Sequence, residues 1–353
     1  MAPRQKNNNL KKKSQSNQIK ENSNLNSVND EENLLEEEDD LIYDFTSSVK
    51  DKDRFLREMT RDDSSKLDQW RKRVKDKEKD KSTIEGVLDL PTSKVILKII
   101  NKGYFTSLGG IISTGKEANV YYAKTKDLSL TYEIKHLALK IYRTRTLDFK
   151  KIHFYIDGDR RFQQKAGRKS HQIIEKWAMK EYKNLLRAYE AGLPVPRPVL
   201  VKRNVLLMEF IDDGLGTQIS SNSAANTLQS LQNNKSFLSH AKEIYDQILN
   251  CVKILWQKAG IVHGDLSEFN ILGKIPARIS ESFHFYIIDI SQAVLISHGS
   301  AKILLLRDLT NVNNFFNLIE TSNDIKIEPA SIIYQRIVGE PPLEKDLLSL
   351  ELK

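Results

Sequence analysis

An abrupt change in composition near residue 82 sets the first limit on what this chain can fold into. Residues 1–20 carry six basic and no acidic residues, whereas residues 21–44 carry ten acidic and no basic ones. Asn, Ser, Lys and Glu dominate the first 81 residues, which leaves too little apolar surface to offset the entropy cost of ordering them. Residues 1–81 are therefore predicted to be a disordered charged tail, either a solvated extension or an arm that docks a partner.

The remaining residues are long enough for two lobes. The chain has 353 residues, of which 39% are hydrophobic, and its net charge of +8 belongs to residues 82–353 because the charges before them cancel. The single cysteine, Cys251, excludes an internal disulfide and indicates a reducing compartment. No apolar run approaches the roughly 18 residues of a membrane span, and no apolar signal segment is seen, so we expect a protein that is neither exported nor membrane-embedded.

Hydrophobic periodicity divides the folded part at about residue 211. The first lobe, residues 82–211, is predicted to be mainly strands, and the second, residues 212–353, mainly helices. The expected elements are a helix over 83–105 ended by Gly103, strands within 108–123 and 133–143, a helix over 170–192, two strands within 198–211, and a helix over 237–260. The Ser- and Asn-rich residues 212–236 suggest a surface insertion without a clear role.

The stretch STGKEANV, Ser113 to Val120, has the spacing of a glycine-rich loop that covers phosphates. Ser113 and Ala118 occupy positions where glycines are usual, yet small residues still let backbone N–H groups approach phosphate oxygens. Lys116 lies in the same loop. Taken alone, this stretch is better explained as an ordinary strand-turn-strand hairpin.

Two further charged residues, a lysine and a glutamate, are candidates for a phosphate-binding site. Lys140, in LALK, lies in a predicted strand between apolar neighbours, and Glu181 lies on the predicted helix 170–192. An inward-pointing ammonium would contact α- and β-phosphates, with the carboxylate holding it in place. Solvent-exposed positions on a strand and on a helix are the simpler alternatives for each residue alone.

The stretch IVHGDLSEFNIL places Asp265 and Asn270 five residues apart in a loop between apolar segments. Asp265 would orient a hydroxyl group or a water molecule for in-line attack, while Asn270 would offer a carbonyl oxygen to a metal ion. Asp289 ends the apolar strand of YIIDIS and would add a carboxylate for Mg²⁺, which prefers oxygen ligands. These elements in this order predict a site for magnesium-bound triphosphate.

Six motifs together resemble those of the RIO family of atypical serine/threonine protein kinases, and EANVY is most similar to its first subfamily. They are STGKEANVY, ALKIY, WAMKEYKNL, HGDLSEFNIL, IIDISQAV and NVNNFF. The resemblance implies an α+β, two-lobed, protein-kinase-like fold with a strand-rich first lobe and a helical second lobe. It also implies that the activation and substrate-platform segments of ordinary kinases are missing.

The same resemblance implies a role for each candidate residue. Lys140 would contact ATP phosphates, and Glu181 would position it, while Met208 and Ile211 would hold the adenine at the hinge. Asp265 would be the catalytic aspartate, with Asn270 and Asp289 as Mg²⁺ ligands. Asp289 would also accept phosphate as an aspartyl-phosphate intermediate.

The chain departs from ordinary protein kinases at two positions. Gly264 stands in place of the arginine of H-R-D, and Ser291 stands in place of the glycine of D-F-G. Because these departures remove parts used by ordinary kinases on peptide substrates, ATP hydrolysis as a conformational switch is favoured over phosphorylation of other proteins.

The resemblance further implies a partner, the pre-40S ribosomal particle and its rRNA, and a role in late maturation of the small subunit. The basic, aromatic run of residues 143–170 matches a flexible family insertion and is a candidate rRNA contact, although a solvated loop is the alternative. The expected location is the cytoplasm, with shuttling to the nucleus. A catalytically silent ATP-binding factor and an RNA-binding assembly factor remain alternative functions.

Overall fold

A computed structural model describes residues 43–44, 89–144, 149–162, 170–215, 218–278, 280–319 and 325–351. The predicted tail of residues 1–81 lies outside these ranges except for a two-residue strand at Tyr43–Asp44. The predicted disorder of this tail therefore stays a prediction. The residues from 89 onward carry the sheet, the helices and the candidate site.

An antiparallel sheet forms the strand-rich part of the structure. Its strands lie side by side in the order β4-β5-β3-β2-β1. Strand β3 is central, and six of its seven residues are buried, which is why its sequence HLALKIY is apolar on both faces around one lysine. The strands are β1 Phe105–Thr114, β2 Ala118–Thr125, β3 His136–Tyr142, β4 Pro198–Lys202 and β5 Val205–Glu209.

Helix α1, Leu90–Asn101, packs beside this sheet and confirms the helix predicted before Gly103. The Asp89 side chain accepts a hydrogen bond from the backbone N–H of Thr92 at 2.9 Å, and Pro91 in the first turn needs no N–H partner, so the start is well capped. The part of the prediction that covers residues 83–88 lies outside the described residues.

Helix α3, Ser170–Glu190, confirms the strongest helix prediction. A shorter helix α2, Phe149–Asp157, and a 3-10 turn, Arg160–Phe162, precede it. Five of the predicted apolar positions on α3 are buried, whereas Leu186 is half-buried and Tyr189 is exposed. The buried ones are Ile173, Ile174, Trp177, Tyr182 and Leu185.

The second part of the structure is mainly helical, as predicted. Helix α5 is the predicted amphipathic helix, and it continues into a π-helical turn at Leu255–Ala259. The helices are α4 Leu228–Leu231, α5 Lys235–Ile254, α6 Ala301–Leu318, α7 Ala330–Val338 and α8 Glu344–Glu351.

Two small antiparallel sheets lie among these helices and carry the loops of the site. One contains β6 Asn226–Thr227, β8 Ile271–Lys274 and β9 His284–Ile287, with β8 in the middle. The other pairs β7 Ile261–Val262 with β10 Val294–Leu295. None of the helices within the described residues has an apolar stretch of the length that a membrane span requires.

Aromatic packing around Phe237 forms the centre of the helical part. Its side chain is fully buried, with ring centroids 5.9 Å from Phe283, 6.2 Å from Phe315 and 6.4 Å from Phe316. These contacts join the start of α5 to α6 and to the chain before β9, so they support the loops that bear the site.

Replacing Phe237 with alanine is therefore expected to lower the free energy of unfolding by about 3–5 kcal/mol, since a buried ring is lost and a cavity remains. Urea unfolding followed by circular dichroism measures the effect. Leu318→Ala is the control, because that side chain is 84% exposed and should cost less than about 0.5 kcal/mol. Equal unfolding midpoints for the two variants would contradict this account of the core.

Candidate active site

A cavity of about 560 Å³ lies where the main sheet faces the loops of the helical part. This volume is within the range of pockets for small-molecule ligands. Nine of the candidate residues line it, and Asp265 lies outside the lining. The nine are Ser113, Lys116, Val120, Lys140, Glu181, Met208, Ile211, Asn270 and Asp289.

Lys140 joins three distant segments of the chain at this cavity. Its Nζ lies 2.9 Å from Glu181 Oε1 and 2.8 Å from Asp289 Oδ1, across sequence separations of 41 and 149 residues. Burial alone lowers the pKa of Lys140, but Asp289 and Glu181 together outweigh burial and raise the pKa above its ordinary value. Lys140 therefore stays charged, held between two carboxylates, rather than pointing to solvent.

Glu181 is nearly fully buried on α3, so the exposed-helix alternative for this residue is wrong. Burial raises the pKa of Glu181 to about 7, although Lys140 opposes that shift. A buried carboxylate needs a cationic partner, and Lys140 supplies it.

Asp289 follows β9 and has a left-handed backbone conformation, with φ of 56°. Its Oδ1 accepts hydrogen bonds from Lys140 and, at 3.0 Å, from the Ser291 hydroxyl group. Burial acts to raise the pKa of Asp289, but the charge and hydrogen bond of Lys140 and the hydrogen bond of Ser291 hold it below its ordinary value. Asp289 is thus ionised at neutral pH and can act as a metal ligand or a nucleophile.

Asp265 and Asn270 lie in one loop between β7 and β8. The side-chain amide of Asn270 donates from Nδ2 to the backbone oxygen of Asp265 at 2.8 Å, which closes the loop. Since this bond uses the amino end of the amide, the carbonyl oxygen of Asn270 is the end that can bind a cation. Gln292 Nε2 donates to Asp265 Oδ2 at 2.7 Å and so orients that carboxylate.

His263 ties this loop to the strand before Asp289. It is fully buried, and its Nε2 lies 3.1 Å from the backbone oxygen of Ile288. Burial lowers the pKa of His263 to about 4, so the imidazole is neutral at physiological pH and donates from Nε2.

Asp308 on α6 is a site residue that the sequence analysis missed. Its buried carboxylate accepts hydrogen bonds from the backbone N–H groups of Gly264 at 2.8 Å and of Leu266 at 3.0 Å, on both sides of Asp265. Burial raises the pKa of Asp308 to about 7, with the two N–H donors opposing. The available signal was one acidic residue inside the apolar helical stretch ILLLRDLTNV.

The Ser- and Asn-rich segment, for which the sequence indicated no role, contributes to the cavity. Residues 224–227 and Ser230 line the cavity, while Asn226 and Thr227 pair with Gly273 and Leu272 as strand β6. A Cβ at Gly110 of β1 would lie 2.6 Å from the Ser221 hydroxyl oxygen, so this segment also packs closely on the sheet. The segment is one wall of the site.

A known protein family matches most of the part of the chain that carries the site. The family model of the RIO domain matches residues 119–328, more than half of the sequence. The chain belongs to the RIO family. The predicted family membership is thereby confirmed, and the relatives named next support its first subfamily. The strand-rich first part and the mainly helical second part of the structure agree with the predicted α+β, two-lobed, kinase-like fold class.

Three curated relatives are similar over most of this RIO-family chain. Serine/threonine-protein kinase rio1 of Schizosaccharomyces pombe is 36% identical over 77% of this chain and 48% of its own length. Serine/threonine-protein kinase RIO1 of Homo sapiens is 37% identical over 69% of this chain and 39% of its own. RIO-type serine/threonine-protein kinase Rio1 of Haloferax volcanii is 36% identical over 75% of this chain and 80% of its own length. The chain thus spans half or less of the first two proteins.

Among solved structures, the Rio2 kinase–ADP/Mg²⁺–phosphoaspartate complex from Chaetomium thermophilum is 19% identical and covers 74% of each chain, with a TM-score of 0.45. This likeness is too weak to support an inference about function.

The structure gives a physical reason for Gly264 in place of the arginine of H-R-D. Its φ of 77° lies in the left-handed region that residues with a Cβ rarely adopt, and a Cβ there would lie 3.0 Å from the backbone oxygen of Gln292. Because Gln292 orients Asp265, a side chain at Gly264 would disturb both residues.

We expect Gly264→Ala to lower the free energy of unfolding by about 1–2 kcal/mol, from the left-handed conformation alone. Thermal unfolding of the purified protein measures it. Gly299→Ala is a matched control, because Gly299 has no positive φ and no atom within 4 Å of an added Cβ. Equal melting temperatures for the two variants would show that the Gly264 backbone is not constrained.

Proposed function

We propose that this protein is a RIO-type serine/threonine kinase or ATPase that acts on the γ-phosphoryl group of ATP in a Mg²⁺-dependent reaction. The single observation that carries the proposal is the Lys140 ammonium group, held 2.9 Å from Glu181 and 2.8 Å from Asp289 at the cavity wall. An ammonium group fixed in this way is suited to contact phosphate oxygens. The kinase names of the three relatives support the same reaction class.

The donor set fits Mg²⁺. Asn270 offers an amide oxygen and Asp289 an ionised carboxylate, both at the cavity wall, and Mg²⁺ favours such hard oxygen ligands together with substrate phosphates. A bound Mg²⁺ ion supplies charge neutralisation for the triphosphate. Because Lys140 already contacts Asp289, the ammonium group and the metal ligand are adjacent before any ligand arrives.

The other candidate residues that line the cavity would surround the rest of the nucleotide. Met208 lies in β5 and Ile211 lies just after it. Both line the same cavity as Ser113 at the end of β1, Lys116 in the turn between β1 and β2, and Val120 in β2. The adenine would contact Met208 and Ile211, and the phosphates would lie beneath the turn that contains Lys116. Apolar walls with a few polar groups are typical of such pockets.

We further propose that Asp289 accepts the phosphoryl group. One of its carboxylate oxygens forms a bond to the γ-phosphorus while the bond from that phosphorus to the oxygen bridging the β-phosphate breaks, and ADP leaves. Water then bonds to the phosphorus, the Asp289 carboxylate is released, and the two protons of the water leave on inorganic phosphate. Asp265, oriented by Gln292, would position the attacking hydroxyl group or water molecule.

Incubation with γ-labelled ATP and Mg²⁺ is expected to label the protein, whereas Asp289→Ala should reduce labelling at least about 100-fold because the acceptor oxygen is lost. Mass spectrometry should place an acid-stable, base-labile phosphate on Asp289. Asp246→Ala, an exposed carboxylate on α5, is the control. Unchanged labelling of Asp289→Ala would eliminate the aspartyl-phosphate.

A catalytically silent ATP-binding factor is the alternative from another class, and it makes a different prediction for Asp265→Asn. The enzyme proposal requires this variant to lose most ATP turnover while still binding ATP. A silent factor would show the same negligible turnover with and without the substitution.

We also propose that this protein binds the pre-40S ribosomal particle and its rRNA and acts in late maturation of the small subunit. We propose that it does so in the cytoplasm and that it shuttles to the nucleus. Sequence resemblance motivates this role. The structure adds that Phe154 on α2 is 49% exposed and that Arg160, which follows α2, is also exposed. An exposed ring and an exposed guanidinium group within one short segment suit an unpaired base and a phosphate.

For rRNA fragments, Arg160→Ala should reduce the slope of log affinity against log salt by about 1, and Phe154→Ala should weaken binding by about 1–3 kcal/mol. Fluorescence anisotropy across a salt series measures both. Lys242→Ala, with a 60% exposed side chain on α5, is the control. Identical slopes and affinities would reject α2 as the contact, and failure to co-sediment with cytoplasmic or nuclear pre-40S particles would reject the partner.

A further inference from the structure

One short turn connects the two carboxylates of the site. The 3-10 turn Ile290–Gln292 begins directly after Asp289, and its last residue, Gln292, donates to Asp265 Oδ2 at 2.7 Å. Within the turn, Ser291 donates its hydroxyl hydrogen to Asp289 Oδ1 at 3.0 Å. The position of this turn therefore sets the positions of both Asp289 and Asp265.

Helix α3 holds the opposite side of the turn through two buried side chains. Lys180 Nζ donates to the backbone oxygen of Ser291 at 2.9 Å and also to that of Ala293. Asn184 Nδ2 donates to the backbone oxygens of Ile290 at 3.0 Å and Ala293 at 3.2 Å. Three carbonyl groups, two within the turn and one directly after it, thus receive side-chain donors from two residues that lie four positions apart on α3.

The burial of Lys180 is unusual and has no explanation in the nucleotide site. Its side chain is fully buried, and its Nζ lies 5.4 Å from the Trp177 ring centroid and 5.9 Å from that of Tyr155. Burial lowers the pKa of Lys180 to about 7, with the Asp159 carboxylate opposing that shift. A lysine is seldom buried unless its donors are used.

A second buried pair extends the contact to the segment before α3. Arg161 donates to Asn184 Oδ1 at 2.8 Å and forms an ion pair with the fully buried Asp159 at 2.6 Å. The acceptor end of the Asn184 amide is thereby engaged by Arg161, which leaves Nδ2 directed at the turn. Asp159, Arg161, Asn184 and Lys180 form one connected set of polar contacts.

We propose that Lys180 and Asn184 are positioning residues that hold the Ile290–Ala293 turn, and through it Asp289 and Asp265, in the geometry needed for phosphoryl transfer. This inference rests on the proposed function. Neither residue lines the cavity, so they act on the reaction only through the turn. Loss of either set of donors leaves buried carbonyl groups without these partners, and the turn then moves to satisfy them.

The test uses the full chain with Lys180→Met and Asn184→Leu, which remove the donors at similar side-chain volume. Lys176→Met, one turn earlier on α3, is the matched control. Displacement of a catalytic group by about 1 Å can cost about 100-fold in rate, so kcat for ATP turnover should fall by about that factor. KM for ATP should change much less than kcat, since Met208 and Ile211 at the proposed adenine wall are not touched.

Hydrogen–deuterium exchange without nucleotide gives the second readout. Peptides covering residues 288–294 should exchange faster in Lys180→Met and Asn184→Leu, but not in Lys176→Met. A folded Lys180→Met variant with unchanged kcat or unchanged exchange would overturn the proposal. If that variant does not fold, Asn184→Leu decides by the same readouts, and failure of both to fold would assign these residues to folding and reject the positioning role.

The two proposals fail separately. If the unaltered protein shows no ATP turnover, the proposed function is wrong, while the exchange data still show whether Lys180 and Asn184 hold the turn. If the unaltered protein turns over ATP and the variants match it, only the positioning role is wrong.

Discussion

The contact of the buried Lys140 ammonium group with two carboxylates is the interaction on which the rest of the site depends. It joins the central strand β3, helix α3 through Glu181, and the end of β9 through Asp289. Removing an ammonium group from water is costly, and for Lys140 two carboxylates at hydrogen-bonding distance offset that cost. The three segments must therefore come together in one arrangement for Lys140 to be buried at all, and that arrangement also forms the cavity.

Around this contact, the loops of the site are held by buried polar side chains of helices α6 and α3 that do not themselves line the cavity. Asp308 on α6 binds the backbone on both sides of Asp265, and Lys180 and Asn184 on α3 bind the turn after Asp289. Loops are usually the most mobile parts of a fold. Here each active loop is bonded to a helix, so the carboxylates are positioned before a ligand arrives and little reorganisation is needed in the reaction.

Much of the fold follows from local pattern, and the exceptions have identifiable causes. Helix α3 was predictable because its apolar residues repeat at helical intervals, and Gly192 and the prolines after it mark its end. The placement of the Ser- and Asn-rich segment at the cavity wall was not predictable, because it depends on the pairing of Thr227 with Leu272 and on packing against Gly110. Asp308 gave no clear local signal either, because a single carboxylate in an apolar helix shows its role only when its backbone partners are known.

The sequence by itself determined the chemical groups and their local settings: a lysine within an apolar strand, a carboxylate and an amide five residues apart, and an aspartate at the end of a strand. Only the tertiary structure decided which of these groups meet, that Lys140 contacts both Glu181 and Asp289, and that Lys180 faces the turn rather than solvent. The physical reason is that side-chain periodicity depends on a few neighbouring residues. Contacts across 41 to 149 residues depend on how whole elements pack.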